Sequence, residues 1–330
     1  MTDKERYLEN DIICKYCFEP YEGDELDPNG AGYWCGCCDG YNFFDSSAKW
    51  HQFTLIMEEA SEANKIGPKK YRLNKRLSPL RYPGGKSKIA DYIRQKINPE
   101  KSERLISAFA GGASVELALL HAGIVNHLVL NDLDFGIFSL FKLIKELPDF
   151  LTLEIQGRKP SHDDFLKARS VIKSGYDGCD LFEAAWSLLI ANRLAFSGIY
   201  RANPLGGLRG TENKLLSRWN PNDLCRRISI IHAMSERITV SNTDALELIE
   251  EEYWNDRATI FADPPYFKQG KNLYRYYYEE NDHLELQLLL DELHKGFPCA
   301  DIILCYDDSD FIESIYRYPS IEKIKRRFSA

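Results

Sequence analysis

The sequence lacks the features that would place this chain in or across a membrane. It contains no uninterrupted apolar run near the roughly 18 residues that a membrane-spanning helix requires. Its first residues, MTDKERYLENDIICKYC, are polar and acidic, and they contain no apolar segment typical of a signal peptide. With 330 residues, of which 44% are hydrophobic, the chain is long enough for two domains with full cores. We therefore expect a cytoplasmic protein.

The sequence also lacks the two commonest phosphate-binding motifs of nucleotide-binding proteins. Gly84-Gly85-Lys86-Ser87 resembles the end of a phosphate-binding loop, but the motif G-x4-G-K-[ST] requires a glycine where this chain has Leu80. A second glycine loop, around Gly111-Gly112, does not match G-x-G-x-x-G and fits the pyrophosphate of a dinucleotide poorly. We therefore reject nucleotide hydrolysis as the primary interpretation.

Positive charge is also in deficit overall, since the net charge is -8, but it is unevenly distributed. Between Lys65 and Lys96 there are eleven lysines and arginines against one acid, Asp91. A second basic stretch holds Arg201, Arg209, Lys214, Arg218, Arg226 and Arg227. Separation of this kind is typical of a face that binds phosphates, with ordinary solvated helix faces as the alternative interpretation.

Five of the nine cysteines lie in the first forty residues. Cys14 and Cys17 form one C-x2-C pair, and Cys35 and Cys38 form a second one after a turn-rich spacer. This spacing predicts a four-thiolate zinc site that stabilises a segment too short to fold by apolar burial. A disulfide or a redox pair is the alternative, and Cys37 competes with Cys38 as the fourth ligand.

Two consecutive strand–loop–helix units predict the start of a doubly wound sheet. The strand that begins at Arg104 leads into the small-residue loop Phe109-Ala110-Gly111-Gly112, and a helix is predicted from Val115. The next strand, from His127 to Leu130, ends in Asn131-Asp132. An acid at this position can accept hydrogen bonds from ribose hydroxyls, and helix capping is its alternative role.

A third strand end carries Asp263-Pro264-Pro265-Tyr266. The apolar run Ala258–Ala262 predicts a short buried strand, and the two prolines end it. The Asp263 carboxylate and the Pro264 carbonyl can accept hydrogen bonds from an exocyclic amine, and Tyr266 can stack on a ring. Adenine presents such an amine at N6. The alternative is a strand end with a solvent-facing aspartate.

Four blocks occur in one order along the chain: RYPGGK (81–86), AFAGGAS (108–114), Asn131-Asp132 and DPPY (263–266). Together they resemble the Dam-like, D12-class (alpha-group) DNA adenine-N6 methyltransferases. A fifth block, ANRLAFSGIYR (191–201), is similar to the segment that this family carries before DPPY. The resemblance covers about residues 77–328, and the cysteine-rich start lies outside it as a departure from the simplest members.

This resemblance implies a Rossmann-like α/β fold with S-adenosylmethionine over the carboxyl ends of a mostly parallel, seven-stranded sheet. The implied catalytic residues are Asp263, Pro264, Pro265 and Tyr266. The implied cofactor-binding residues are Tyr82, Lys86, Phe109, Ala110, Gly111, Asp132, Asp244 and Asp263, with Lys86 near the carboxylate of the cofactor. For Asp244, recognition of the adenine amine of the cofactor and capping of the following helix are equally supported.

The expected organisation has four parts. Residues 1–45 form the small N-terminal zinc-binding segment, and residues 46–76 form a helix and a basic linker, because 46–65 has helical spacing. Residues 77–149 and 236–330 form the catalytic domain, and residues 150–235 form an inserted target-recognition domain. In that insert, Arg193, Arg201, Asn203 and Arg218 are expected near DNA, Trp186 and Trp219 in the core, and Phe196 and Tyr200 either in the core or as wedges.

The implied reaction is methyl transfer from S-adenosylmethionine to adenine N6 in double-stranded DNA, with the adenine turned out of the helix. It requires no covalent enzyme intermediate, and phage, restriction–modification and orphan roles are equally compatible with it. The alternatives are an RNA adenine-N6 methyltransferase and a non-catalytic zinc-containing DNA-binding protein. Protein-glutamine and cytosine-N4 enzymes rank lower, since they usually carry Asn or Ser where this chain has Asp263.

Overall fold

The computed structural model describes residues 25–26, 32–34, 41–43, 53–60, 73–81, 85–99, 101–268, 270, 275–296, 299–316 and 320–326. The strands in these residues are β1 (Glu25–Leu26), β2 (Gly32–Trp34), β3 (Tyr41–Phe43), β4 (Phe53–Ala60), β5 (Arg104–Ser107), β6 (His127–Asn131), β7 (Ile238–Ser241), β8 (Ala258–Ala262), β9 (Asp301–Asp307) and β10 (Ser320–Arg326). The helices are α1 (Ala90–Lys96), α2 (Ser114–His121), α3 (Phe135–Glu146), α4 (Pro148–Gly157), α5 (His162–Lys173), α6 (Leu181–Leu194), α7 (Glu212–Leu215), α8 (Pro221–His232), α9 (Ala245–Glu252), α10 (Glu280–Gly296) and α11 (Asp310–Ile315). Among the described residues, no helix combines the length and the apolar character that a membrane span requires.

Seven strands form one sheet in the order β10-β4-β9-β8-β5-β6-β7, and every neighbouring pair runs parallel. β8 and β9 are buried along their whole lengths, as expected for strands that are covered on both faces. The strand order reverses beside β5, because the chain continues from β5 to β6 on one side while β8 lies on the other. The predicted α/β class with a Rossmann-like parallel sheet is therefore confirmed, and ligands of such sheets bind at this reversal.

The structure corrects the expected helix over residues 46–65, because residues 53–60 form strand β4 in the main sheet. This strand pairs with β9 on one side and with β10 on the other. Leu55 and Met57 face one hydrophobic core while Ile56 faces the other, and all three are fully buried. A strand buried on both faces is a continuous apolar run, which periodicity alone cannot distinguish from a buried helix.

The chain between β6 and β7 is helical in the structure and contains α3 to α8. Its apolar side chains join those of the sheet, since Leu105 of β5, Leu189 of α6 and Ile228 of α8 belong to one continuous core. Residues 150–235 are thus packed directly on the sheet, and their assignment as a target-recognition domain stays a prediction.

Near the start of the chain, β1, β2 and β3 form a small antiparallel sheet. The predicted zinc ligands Cys14, Cys17, Cys35 and Cys38 lie outside the described residues. Within the described part of the chain, no group of three or more His, Cys, Asp or Glu side chains is arranged to hold a metal ion. The zinc site therefore stays a prediction from the cysteine spacing.

Candidate active site at the carboxyl edge of the sheet

A cleft opens at the carboxyl ends of β5, β6, β7 and β8, where the strand order reverses. The loops after these strands line it, together with the start of the 3-10 turn at Lys86–Lys88 and the segment around Arg275. Its wall contains seven of the eight predicted cofactor-binding residues: Lys86, Phe109, Ala110, Gly111, Asp132, Asp244 and Asp263. It also contains Asp263 and Pro265 of the predicted catalytic block, whereas Tyr82 lies outside the described residues.

An ion pair between Lys86 and Asp263 joins the first and last sequence blocks of the site. The Lys86 side chain is only 2% exposed, and its Nζ forms an ion pair with Oδ1 of Asp263. The same Nζ donates a hydrogen bond to the Tyr266 hydroxyl at 3.0 Å and lies 4.8 Å from the centre of the Tyr266 ring. Asp263 retains 20% exposure toward the cleft. The lysine thus holds the carboxylate in one orientation at one end of the cleft.

Tyr266 is less accessible than the sequence suggests. Its ring is 4% exposed, and its backbone carbonyl accepts a hydrogen bond from Gly270 at 2.8 Å. Neither Tyr266 nor Pro264 is part of the cleft wall, although Asp263 and Pro265 are. In this structure, the ring therefore offers little free surface for stacking.

The loop after β5 is held by the acid after β6. Oδ2 of Asp132 accepts a hydrogen bond from the backbone N–H of Gly111 at 2.8 Å, and Oδ1 accepts one from Asp134 at 2.9 Å. Gly111 has a φ of +48°, a left-handed conformation that costs glycine little. Burial, and then the nearby Asp134 carboxylate, raise the pKa of Asp132 to about 7. The predicted ribose acceptor therefore titrates near neutral pH.

Asn131 has a structural role that the sequence blocks do not reveal. Its side-chain amide donates to the carbonyls of Ala108 and Thr243, both at 3.1 Å. Its Oδ1 accepts from Ser241 and from the backbone of Thr243, both at 3.0 Å. One buried amide thus connects the loop after β5, the end of β6 and the loop after β7.

Glu116 is a site residue that the sequence analysis missed. It lies on α2, is 4% exposed, lines the cleft and accepts a hydrogen bond from the Ser107 hydroxyl at 2.8 Å. Burial is the main cause that raises the pKa of Glu116 to about 7, and the negative charge of Asp263 adds to the shift. The only available signal was one acid in the otherwise apolar helix sequence VELALL, which a surface position explains equally well.

We expect Glu116→Gln to stabilise the ligand-free protein at high pH but not at low pH. The pKa of Glu116 is raised to about 7 in the folded state, so the folded protein retains a proton that the unfolded chain releases at lower pH. Stability contributed by this group therefore falls as the pH rises toward about 7, and the uncharged amide removes that loss. Melting temperatures of both proteins at about pH 5 and about pH 8 measure the effect.

Glu103→Gln serves as the control for this prediction, because it removes an exposed carboxylate at the opposite edge of the sheet, beside Arg257. An equal change in melting temperature for Glu116→Gln at both pH values contradicts the assignment of a buried, protonated Glu116.

Asp244 has the predicted capping role and also lies in the cleft wall, while its role toward an adenine amine stays a prediction. Its Oδ1 caps α9 by accepting a hydrogen bond from the backbone N–H of Leu246 at 2.8 Å. The same residue lines the cleft. Across from it, Phe109 packs edge-to-face on Tyr278 with ring centres 5.6 Å apart. A carboxylate beside aromatic rings suits a flat heterocycle with an amine.

The mouth of the cleft is built by a cluster that connects the insert to the loop after β8. The buried carboxylate of Asp134 caps α3 through Gly136 and accepts a hydrogen bond from the Tyr176 hydroxyl at 2.9 Å. Arg275 lies over the Tyr176 ring at 5.2 Å and lines the cleft. Burial raises the pKa of Asp134, and Arg275 opposes this shift.

The DNA-proximal residues predicted in the insert occupy different environments. Arg201 and Asn203 are exposed, and Arg201 donates to the Tyr200 hydroxyl at 2.8 Å. Arg193 is buried, with 6% exposure, and Arg218 is half-buried. Trp219 is 9% exposed and packs edge-to-face on the partly buried Trp186, which agrees with the predicted core roles. Phe196, in contrast, is 57% exposed.

The charge balance of the cleft indicates which ligands it suits. Five acids line it, Glu116, Asp132, Asp134, Asp244 and Asp263, whereas the basic residues in its wall are Lys86 and Arg275. Such a wall repels a pyrophosphate and attracts a ligand with positive charge. The site residues therefore fit a ligand with a cationic group better than they fit a dinucleotide.

The fold and the cleft together define an α/β protein with a parallel sheet and an acid-lined cleft at the carboxyl ends of its strands, with Asp263 in the cleft wall. Residues 82–330 match the family described as D12 class N6 adenine-specific DNA methyltransferase, and the chain belongs to this family. The chain is also similar to the Type II methyltransferase M.MjaIII of Methanocaldococcus jannaschii, with 22% identity over 268 residues that cover 74% of this chain and 89% of that protein. The predicted family is thus confirmed, and β4 lies outside the matched residues.

Proposed function

We propose that this protein transfers the methyl group of S-adenosylmethionine to adenine N6 at specific sites in double-stranded DNA. The observation that carries the proposal is Asp263, which is held by Lys86 at one end of a cleft whose other walls are the Gly111 loop and Asp132. Membership of the adenine-N6 DNA methyltransferase family supports the choice of substrate atom.

The cofactor side of the cleft comprises the loops after β5, β6 and β7. Asp132 accepts from ribose hydroxyls, Asp244 accepts from an adenine amine, and Phe109, Ala110 and Gly111 line the nucleoside. When bound, S-adenosylmethionine supplies a methyl group on positively charged sulfur. The acids of the wall, Asp244 and Asp263 among them, favour that positive charge.

The target side of the cleft is formed by the block after β8. The adenine must leave the duplex, because its N6 atom cannot be reached within the base stack. Asp263 and the Pro264 carbonyl then accept hydrogen bonds from N6 and direct its lone pair toward the methyl group. Stacking of Tyr266 on the base requires its ring, which contacts Lys86 in this structure, to become more exposed on DNA binding.

We expect Asp132→Asn to weaken binding of S-adenosylmethionine by about 10- to 100-fold, the usual effect of losing a charged hydrogen-bond acceptor. The amide retains an oxygen for the Gly111 N–H but presents one neutral acceptor in place of a carboxylate. Isothermal titration with the cofactor measures the change. Asp149→Asn, on α4, is a charge-matched control outside the cleft. Unchanged affinity in the Asp132 variant contradicts the ribose assignment.

The exposed residues Arg201 and Asn203, with the half-buried Arg218, belong to the region proposed to contact DNA. Arginine suits both phosphates and the edges of guanine, so these residues contribute affinity and base recognition. A role in restriction–modification is compatible with this proposal, as is a phage or orphan role.

The proposal is tested by incubating the protein and methyl-labelled S-adenosylmethionine with a mixed library of DNA duplexes and with matched RNA duplexes. We expect label on adenines within one short sequence of the DNA library and background label on the RNA. Label on RNA alone supports the RNA methyltransferase instead. Absence of cofactor binding supports a non-catalytic DNA-binding protein.

A further inference from the structure

Glu116 is a buried acid in the cleft wall to which the proposed reaction assigns no individual role. It lies in the first turn of α2. Its carboxyl group accepts hydrogen bonds from the Ser107 hydroxyl at 2.8 Å and from the backbone N–H groups of Val115 and of Glu116 itself. Donors of this kind favour the ionised form of a carboxyl group. The immediate surroundings of Glu116 are therefore suited to a carboxylate.

The Glu116 carboxyl group lacks a cationic partner. Within the part of the chain that the structure describes, no lysine, arginine or histidine side chain lies at ion-pair distance from it. Lys86, which lines the same cleft, forms its ion pair with Asp263. The negative charge of Asp263 acts on Glu116, so both acids lie toward the same end of the cleft. This end therefore favours one further positive charge.

The other ionisable groups around Glu116 leave this balance unchanged. Those in the cleft wall are Lys86, Asp132, Asp134, Asp244, Asp263 and Arg275. Those on α2, and on the elements packed against it or bonded to Glu116, are His121 on α2, Asp91, Tyr92, Arg94 and Lys96 on α1, Lys86 and Lys88 on the 3-10 turn, Arg104 on β5 and His127 on β6. On α1, Asp91 pairs with Lys75, and Lys96 pairs with Glu322. Among all these charged groups, Asp263 acts most strongly on the pKa of Glu116.

We propose that Glu116 recognises the positive charge on the sulfur of S-adenosylmethionine and thereby distinguishes the methyl donor from the product. The identity of the ligand rests on the proposed function. When the methyl group has left, the electron pair of the broken carbon–sulfur bond stays on sulfur, so S-adenosylhomocysteine is an uncharged thioether at this atom. The sulfur has to lie toward Asp263, which holds N6 in the proposed reaction, and Glu116 lies toward the same end.

Recognition of a cation by Glu116 is coupled to release of a proton. Burial is the main cause that raises the pKa of Glu116 to about 7, so about half of the ligand-free molecules carry this proton at about pH 7. A positive charge beside the group favours the carboxylate and lowers its pKa. Binding of the donor therefore expels the proton, and affinity for the donor rises as the pH increases through about 7. The product leaves the proton in place.

Proton release on cofactor binding tests the proposal. Wild type, Glu116→Gln and the control Glu103→Gln, which removes a carboxylate outside the cleft wall, are titrated calorimetrically with S-adenosylmethionine and with S-adenosylhomocysteine. Each titration is run in two buffers of different ionisation enthalpy, and the difference in heat gives the number of protons released. With the donor at about pH 7, wild type and Glu103→Gln should release about half a proton more than Glu116→Gln. With the product, all three proteins should release the same number.

The comparison between proteins removes protons that come from other groups. The pKa of Asp132 is also raised to about 7, and Asp132 is the proposed acceptor for ribose hydroxyls, which both ligands carry. A proton from Asp132 or from the ligand itself is released equally by wild type and by Glu116→Gln. The difference between these two proteins therefore reports on Glu116.

The relative affinities for donor and product provide a second measurement. Between about pH 6 and about pH 8, the preference of the wild type for the donor should rise about 10-fold relative to that of Glu116→Gln, because the ionised fraction of Glu116 grows. Equal proton release by wild type and Glu116→Gln with the donor contradicts the proposal. The same extra release with the product also contradicts it, since that result assigns Glu116 to the ammonium group that both ligands share.

Ser107→Ala provides a second test, which also serves where Glu116→Gln does not fold. This variant keeps the Glu116 carboxyl group but loses the hydroxyl donor that favours its ionised form. More of the ligand-free protein then carries the proton at about pH 7, so Ser107→Ala should release more protons than the wild type on binding the donor. Unchanged release with the donor, or an equal increase with the product, contradicts the role of Glu116.

These titrations contain no DNA, so they separate the role of Glu116 from the proposed function. A wild type that shows donor-specific proton release but does not methylate DNA contradicts the proposed function and leaves Glu116 as a residue that recognises a cationic cofactor. A wild type that methylates adenine in DNA but releases no more protons than Glu116→Gln contradicts the role of Glu116 alone.

Discussion

Asp263→Asn should lower the rate of methyl transfer by about 100- to 1,000-fold, the usual effect of removing one preorganised electrostatic group from a reacting centre. The amide keeps the shape of the side chain and one acceptor oxygen for Lys86, but it removes the negative charge beside N6. Single-turnover methylation with saturating cofactor and DNA isolates this step. Cofactor and DNA affinities, measured separately, should change much less than the rate.

The choice of asparagine matters because Lys86 is buried. Asp263→Ala leaves this ammonium without its carboxylate, and breaking a buried ion pair in this way costs about 3–5 kcal/mol of stability. A loss of activity in the alanine variant would then combine the effect of unfolding with the effect on methyl transfer. Glu103→Gln, which removes a carboxylate at the other edge of the sheet, is the matched control. Near-wild-type turnover in Asp263→Asn contradicts the central role of this residue.

Ile56→Ala should destabilise the protein by about 2–5 kcal/mol, and Ile56→Val by about 0.5–1.5 kcal/mol. Ile56 is fully buried in β4, which pairs with β9 on one side and β10 on the other. The expected losses are a large part of the usual stability of about 5–15 kcal/mol. Urea denaturation of both variants measures the graded effect.

Deletion of residues 1–76 should prevent folding, although the family match begins only at residue 82. Without β4, the facing edges of β9 and β10 lose their partner, and both hydrophobic cores lose apolar side chains. Leu153→Ala, at a position that is 66% exposed, is the control for the Ile56 variants and should change stability by less than about 0.5 kcal/mol. A truncated chain that unfolds cooperatively at the wild-type urea concentration contradicts this account of the sheet.

Sequence reasoning located the parts of the site that lie directly after strands. Proline after an apolar run marks the end of β8, and small residues after β5 mark a turn, so Asp263, Gly111 and Asp132 could be placed at one edge. These patterns are local in the sequence. Because the carboxyl ends of parallel strands lie at one edge of the sheet, the residues that follow those strands become neighbours in space.

Other features depend on contacts that no local pattern encodes. The sequence of β4 is compatible with a helix or a strand, and its pairing with β9 and β10 decides between them. Arg193 was expected near DNA, and its burial by α6 was not foreseen, because packing in the insert decides which side of that helix is covered. The hydrogen bond from the Arg81 backbone N–H to the Asn192 side chain joins residues 111 positions apart in the sequence.

The identity of the methylated nucleoside tests the central claim most directly. Duplex DNA of mixed sequence is incubated with the protein and deuterium-labelled S-adenosylmethionine, digested to nucleosides and analysed by mass spectrometry. The account predicts labelled N6-methyl-2′-deoxyadenosine with the wild type and almost none with Asp263→Asn. Label on cytosine, or no label from a folded wild type that binds the cofactor, would contradict it.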